Sequence, residues 1–204
     1  MGFSSLFIKK ILTFIPGGIF GLLSVIVALF GILSSLLSFP GYNLLLYDVS
    51  YLATGPLGCL FDLGLILSGL IAIPFHFYMN TVISSENIKP KLRRLALILS
   101  IMSSLTLSLI GFFPVLTDNI IILLVHGILA LLTFIGITIY CFLYGIFFLK
   151  SPKFPFSHSF LSFCVSGIFL FYFTNRYSLV EWIGVGSVML WICFNAIFIL
   201  IKKM

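Results

Sequence analysis

Charged side chains are scarce in this sequence, and that scarcity excludes a soluble domain of this size. Only 8% of the 204 residues are Asp, Glu, Lys or Arg, whereas 61% are hydrophobic. A typical globular chain has about 25% charged residues, which cover its surface. The composition therefore indicates an integral membrane protein.

Cysteine is also scarce, and histidine is scarcer still. No two cysteines have the CxxC spacing of a metal or redox site, and all lie in apolar runs as small core residues. His126 is expected near the opposite membrane face from His76 and His158, which we place at the other interface, so a trihistidine zinc site is disfavoured. We predict no disulfide, no metal and no cofactor. The cysteines are Cys59, Cys141, Cys164 and Cys193.

Six apolar runs are long enough to cross a membrane. A helix rises 1.5 Å per residue, so a hydrocarbon core about 30 Å thick needs roughly 20 residues. The runs predict an all-α fold, a six-helix transmembrane bundle in one domain, residues 1–204. A short interfacial helix is expected before Pro16. The predicted spans are 17–39, 57–79, 93–113, 120–149, 158–174 and 181–201.

The basic residues collect on one side of these spans. Arg176 alone falls on the other side. The positive-inside rule then predicts that the N and C termini are both cytoplasmic. Because topology accounts for the formal charge of +6, no nucleic-acid partner is predicted, and we expect a multi-pass protein of the cell membrane. The cytoplasmic set is Lys9, Lys10, Lys89, Lys91, Arg93, Arg94, Lys150, Lys153, Lys202 and Lys203.

Small residues form a regular series along the first span. Their spacing alternates between four and three residues, so they share one helix face. Small side chains let helix backbones approach closely in lipid. We predict packing against a helix of the same chain, with a partner membrane protein or a second copy as the alternative. The series is Gly17, Gly21, Ser24, Ala28, Gly31 and Ser35.

Asp62 is an acid inside a predicted span. An ionised carboxylate at that place costs about 2.5 to 3.5 kcal/mol, so it needs a partner. His126 is expected at matching depth in the fourth span. At 100° per residue Asp62 shares a stripe with Gly69 and His76, which we expect to face the bundle interior. We predict that Asp62 and His126 meet, directly or through water, with Arg176 as the rival partner.

Above this pair we predict a polar vestibule on the outer side of the membrane, where a lipid or small molecule would bind. For the Asp62–His126 pair itself we favour a structural role that fixes helix register over a ligand or catalytic site, and a third interpretation is that Asp62 reaches the outer interface. A further acid, Asp118, is placed as the cap of the fourth span. The predicted vestibule residues, besides Asp62 and His126, are Asp48, Tyr51, Asn175, Arg176 and Glu181.

The stretch YDVSYLATGPLGCLFDLGLILSGL resembles a six-helix membrane family, domain of unknown function 998. Asp62 stands where that family usually has Asn. GFFPVLTDNIIILLVHGILALLTF, with His126, is similar to a second signature, and EWIGVGSVMLWICFNAIFIL to the closing helix. A more distant likeness to autophagy-modulator and glycolipid-anchor remodelling membrane proteins implies a role with lipids. The matching positions of the first stretch are Ser50, Gly55, Pro56, Phe61, Gly64 and Gly69.

Three functions are compatible with these features. The first is a non-enzymatic membrane protein that binds a lipid or small molecule, or scaffolds another membrane protein. The second is an intramembrane lipid hydrolase or transferase, with His126 as general base oriented by Asp62 and Ser50 or water as nucleophile. The third is a small transporter or proton pathway along Tyr140 and Tyr144. Because no catalytic motif is present, we favour the first and leave catalysis open.

Overall fold

The computed structural model describes residues 16–84, 88–115 and 119–203. Within them lie six long α-helices, each apolar and long enough to cross a membrane. The predicted all-α, six-span fold is confirmed, with helix ends within four residues of the predicted ones. The predicted interfacial helix lies outside the described residues. The elements are α1 (Gly17–Ser38), a 3-10 helix (Val49–Thr54), α2 (Gly58–Ile83), α3 (Pro90–Ile110), α4 (Ile120–Lys150), α5 (Phe156–Asn175) and α6 (Ser178–Lys202).

Local sequence signals account for several helix ends. α3 begins with Pro90, whose missing N–H costs nothing in a first turn. The Asn119 side chain caps α4 by accepting from the Ile121 N–H at 2.9 Å. Asp118, the predicted cap, lies outside the described residues. α5 ends at Arg176 in a left-handed conformation (φ 33°), so the chain turns into α6 within two residues.

The six α-helices form a closed ring in chain order. Each packs against the next, and α1 closes the ring against α6. Glycines permit the close approach of α1 to its neighbours. A Cβ added to Gly31 would lie 2.7 Å from the carbonyl oxygen of Leu60 on α2, and one at Gly21 would lie 2.8 Å from the Phe75 ring. At Gly21 and Gly31 the small-residue series of α1 therefore packs against α2 of the same chain, and a partner protein or second copy stays a prediction.

The two ends of the ring differ in how they are filled. We call the end with residues 39–57 and the α5–α6 turn the first-loop end, and the end where α1 begins and α6 stops the terminal end. Large side chains fill the terminal half, among them Phe75, Tyr144, Phe147 and Trp191, each at most 1% exposed. The first-loop half encloses a cavity. That the terminal end is cytoplasmic stays a prediction.

Candidate ligand-binding cavity

A cavity of about 490 Å³ occupies the first-loop half of the ring. All six α-helices contribute to its wall, together with residues 48–50 of the first loop. Most of the wall is aliphatic or aromatic, as at Val25, Phe61, Leu131, Phe169 and Val188. Small-molecule sites are commonly apolar clefts of about 300 to 1,000 Å³. The cavity therefore has the size and the lining of a ligand site.

Every charged side chain that lines the cavity lies at the first-loop end. These are Asp48 on the first loop, Arg176 in the α5–α6 turn and Glu181 in the first turn of α6. Hydroxyls deeper in the cavity are satisfied within their own helices. Ser68, for example, donates to the carbonyl of Leu65 at 3.2 Å. The cavity is thus polar at one end and apolar along its length.

Glu181 is the most deeply buried of the charged lining groups, at 6% exposed. The Tyr172 hydroxyl donates to its Oε2 at 2.7 Å. The backbone N–H groups of Val49 and Ser50 also donate to this carboxylate. In the part of the chain that the structure describes, no cation pairs with Glu181. An acidic group is therefore held in place by neutral donors beside the cavity.

The first loop is anchored to the ring by buried contacts. Ser35 on α1 donates to the carbonyl of Leu52 at 2.7 Å, and Leu52 itself is fully buried. On the other side the Trp182 indole donates to the carbonyl of Tyr47 at 3.2 Å. These bonds tie the loop to α1 and α6, so its residues form a positioned part of the cavity wall.

Aromatic rings cover the outside of this loop. The Tyr47 and Tyr51 rings stack at 4.4 Å with 8° between their planes. The Tyr42 hydroxyl donates to the carbonyl of Asp48 at 2.7 Å. Burial is the main reason that the pKa of Tyr42 rises to about 12. Tyr42 therefore stays protonated and continues to donate across the ordinary pH range.

His126 lines the cavity, and a hydrogen bond to the backbone fixes its ring. Its Nδ1 lies 2.7 Å from the carbonyl oxygen of Phe113, just after α3. Because a carbonyl can only accept, Nδ1 carries the proton. In the neutral ring Nε2 is then the basic nitrogen, available as a hydrogen-bond acceptor or general base.

The backbone of Asp62 lies against the C-terminal end of α3, and the residue is outside the lining of the cavity. A Cβ added to Gly111 would lie 2.5 Å from the Asp62 carbonyl oxygen, and one at Gly69 on the same stripe would lie 2.4 Å from that of Ser104. In the ring α3 stands between α2 and α4, so Asp62 and His126 meet its C-terminal end from separate helices. Among the described residues no direct hydrogen bond or ion pair joins the two. A water bridge stays a prediction.

Five residues named from the sequence come together on the cavity. They are Asp48, Ser50, His126, Arg176 and Glu181. Three others are outside its lining, namely Asp62, Tyr51 and Asn175. The Asn175 amide donates to the Phe171 carbonyl at 3.3 Å and to the Thr174 hydroxyl at 2.7 Å. A ligand role for any of these residues stays a prediction.

Tyr172 is a cavity residue that the sequence reasoning missed. A signal for it was present in the chain. Tyr172 lies one turn before the end of α5 and Glu181 in the first turn of α6, so a short connection brings them together. Its position within a run of aromatic residues made it indistinguishable from lipid-facing side chains.

A buried polar network in the terminal half was also missed. The Trp191 indole donates to Ser162 at 2.7 Å, and His158 Nδ1 lies 3.0 Å from Asn195 Oδ1. His76 and His158 are buried inside the bundle, at 2% and 1% exposed, and their place at the membrane interface stays a prediction. Asn195 within an apolar helix was the available signal, since buried amides need partners.

Comparison with known proteins gives one match. The model of a family described as "Protein of unknown function (DUF998)" matches residues 22–197. The chain belongs to the DUF998 family. The match begins in α1 and ends in α6, so this DUF998 protein is matched across its whole ring, and the resemblance seen in the sequence is confirmed. The comparisons do not show the more distant likeness to autophagy-modulator or glycolipid-anchor remodelling proteins. No curated protein and no solved structure matches the chain.

Proposed function

We propose that this protein binds one lipid or lipid-like amphiphile of the cell membrane in the cavity of its first-loop half. The supporting observation is the form of that cavity, an apolar space with Asp48, Arg176 and Glu181 grouped at one end. An amphiphile has the complementary distribution of polarity. Its hydrocarbon part matches the apolar wall, and its head group matches the charged end.

The character of the cavity wall also favours an apolar occupant. Apolar surface is more stable against hydrocarbon than against water, by about 25 cal/mol per Å². Because most of the wall is aliphatic or aromatic, hydrocarbon from the membrane suits it better than water does.

A cavity-filling substitution tests the proposal. Ala130 lines the cavity, so Ala130→Phe places a ring where the ligand would lie. Gly167→Phe is the control, because Gly167 is outside the lining and an added Cβ there meets nothing within 4 Å. Overpacking costs about 1 to 3 kcal/mol, so we expect roughly tenfold weaker lipid retention in Ala130→Phe. Native mass spectrometry of the purified protein measures the retained lipid.

The outcome separates binding from the alternatives. Wild-type protein that carries no amphiphile, or equal retention in the two variants, would overturn ligand binding and favour a scaffold. The third function, transport, is disfavoured by the aromatic packing of the terminal half. Phe75, Tyr144 and Trp191 lie across the route that a substrate would follow through the ring.

A second candidate function is hydrolysis or group transfer on the bound lipid. The observation that favours it is His126, whose Nδ1 is held by the Phe113 carbonyl while Nε2 is left as the base. Ser50 lines the same cavity. In this candidate function the Phe113 carbonyl orients the His126 ring, a role that the sequence analysis gave to Asp62. Turnover of labelled lipid by wild type that is lost in His126→Gln would support an enzyme, and lack of turnover in the lipid-loaded wild type would exclude one.

A further inference from the structure

The packing of α4 against α5 differs between the two halves of the bundle. In the terminal half the two helices are in close contact. Ser166 on α5 donates to the carbonyl of Thr138 on α4 at 2.9 Å. A Cβ added to Gly145 would lie 2.7 Å from the Phe163 ring. The terminal half of this boundary is therefore closed.

Toward the first-loop end, beyond the contact of the Phe134 ring on α4 with the Tyr172 ring on α5 at 5.6 Å, the same boundary is open. Leu124, Leu131, Thr138 and Gly145 are spaced by seven residues and so share one stripe of α4. Leu131 and Leu124 line the cavity and are nevertheless 41% and 59% exposed. At Gly127, also in the lining, an added Cβ meets nothing within 4 Å. The cavity thus opens sideways between α4 and α5, toward the hydrocarbon that surrounds a membrane protein.

Charges of both signs stand at the polar end of this opening. Arg176 is exposed where α5 turns into α6, whereas Glu181 is buried and Asp48 is half-buried near it. Arginine matches a phosphate in geometry and charge. An ammonium group donates three hydrogen bonds and is the natural counter-ion for a carboxylate that lacks a cation. The pattern of charges is complementary to a head group that carries both phosphate and amine.

We propose that the occupant is a zwitterionic phospholipid, entering from the membrane between α4 and α5, with its phosphate near Arg176 and its ammonium near Glu181. This inference rests on the proposed function and adds the ligand class and the route. The sideways opening commits the ligand to a membrane source, because exposed leucines of α4 form its side and the charged groups stand only at its first-loop end.

Head-group selection is tested with two lipids of matched acyl chains. Phosphatidylethanolamine and phosphatidylglycerol share the phosphate and differ in the amine. The full chain in nanodiscs that contain equal amounts of both should retain phosphatidylethanolamine about fivefold in excess, as expected of one partly desolvated ion pair. Glu181→Gln keeps an acceptor for Tyr172 and should abolish this excess without loss of total lipid. Native mass spectrometry measures the ratio.

The cation is tested by Arg176→Asn. Asparagine tolerates the left-handed backbone at this position, so the α5–α6 turn is preserved. Both lipids carry phosphate, and we expect about fivefold lower retention of both. Lys202→Asn removes a positive charge at the terminal end and should change neither lipid. Equal effects of the two variants would overturn the role of Arg176.

The route is tested by narrowing the opening. Gly127→Trp should slow the exchange of bound lipid with labelled lipid by about tenfold, because the opening is the proposed path. Gly167→Trp is the matched control and should exchange at the wild-type rate. Retention of the two lipids in their bulk ratio would overturn head-group selection, and an unchanged exchange rate would overturn the route. In both cases the cavity could still bind an amphiphile, which the Ala130→Phe comparison decides separately.

Discussion

The terminal and first-loop halves of the bundle are built from similar apolar residues but fill the ring to different extents. Trp191, Tyr144 and Phe147 interlock in the terminal half, and each is almost completely buried. In the first-loop half, aliphatic walls surround about 490 Å³. Lipid is as apolar as either half, so hydrophobicity does not distinguish a core from a site within the membrane. Side-chain volume and the separation of the helices distinguish a packed core from a site.

The buried polar groups of the two halves differ in the kind of partner that they have. In the terminal half Trp191 and Asn195 bond to other side chains of the bundle. In the first-loop half Glu181 has neutral donors and no cation in the described residues. The terminal half is not fully satisfied, however. Buried polar atoms without a hydrogen-bond partner in the described residues include Nδ1 of His76, Oδ1 of Asn80 and Oγ of Ser159.

Truncating one aromatic side chain in each half should distinguish the packed core from the candidate site most clearly. Phe147 is 1% exposed in the packed half, whereas Phe173 lines the cavity. Phe147→Ala should lower the free energy of unfolding by about 3 kcal/mol, because a core cavity is created. Phe173→Ala enlarges an existing space and should cost less than about 1 kcal/mol. Reversible unfolding in mixed micelles measures both, and equal losses would mean that the two halves are packed alike.

A smaller effect is expected from the polar network. Asn195→Ala removes the partner of His158 and the donor to the Trp191 carbonyl. A buried group left without a partner costs about 1 to 3 kcal/mol, so we expect a loss near 2 kcal/mol. Asn175→Ala is the control, since Asn175 bonds only within its own helix at the first-loop end. The same unfolding assay should show little change for the control.

The smallest effect is expected at the loop that borders the cavity. Tyr42→Phe loses the bond to the Asp48 carbonyl, worth about 1 kcal/mol. The pKa of Tyr42 is raised from 10 to about 12 in the folded protein. The contribution of Tyr42 to the free energy of unfolding is therefore fully present below pH 10 and is lost as the pH rises through about 12. Wild type should lose more stability than Tyr42→Phe between pH 10 and 12, and parallel pH profiles would rule out this role.

Much of the fold was accessible from the sequence because hydropathy is a local property of the chain. Six apolar runs predicted six helices, and small residues on α1 predicted a tight contact, which the approach of Gly31 to Leu60 provides. The arrangement of the cavity was accessible only in part. The sequence placed Asp48, Arg176 and Glu181 together because all three lie close to helix ends, and the structure brings them to one end of the cavity, where a ligand role stays a prediction.

The sequence alone determined the number and length of the helices, the DUF998 signatures, and the end of the bundle at which Asp48, Arg176 and Glu181 lie. Only the tertiary structure decided which face of α2 meets which neighbour. Asp62 and Gly69 were placed on one stripe from the sequence, and the structure puts the backbone of both against α3, outside the cavity lining. Helical phase follows from the spacing of residues along one helix, whereas the order of helices in a ring depends on contacts between distant segments. The cavity depends on these contacts too, since it is the volume that six separate helices leave unfilled.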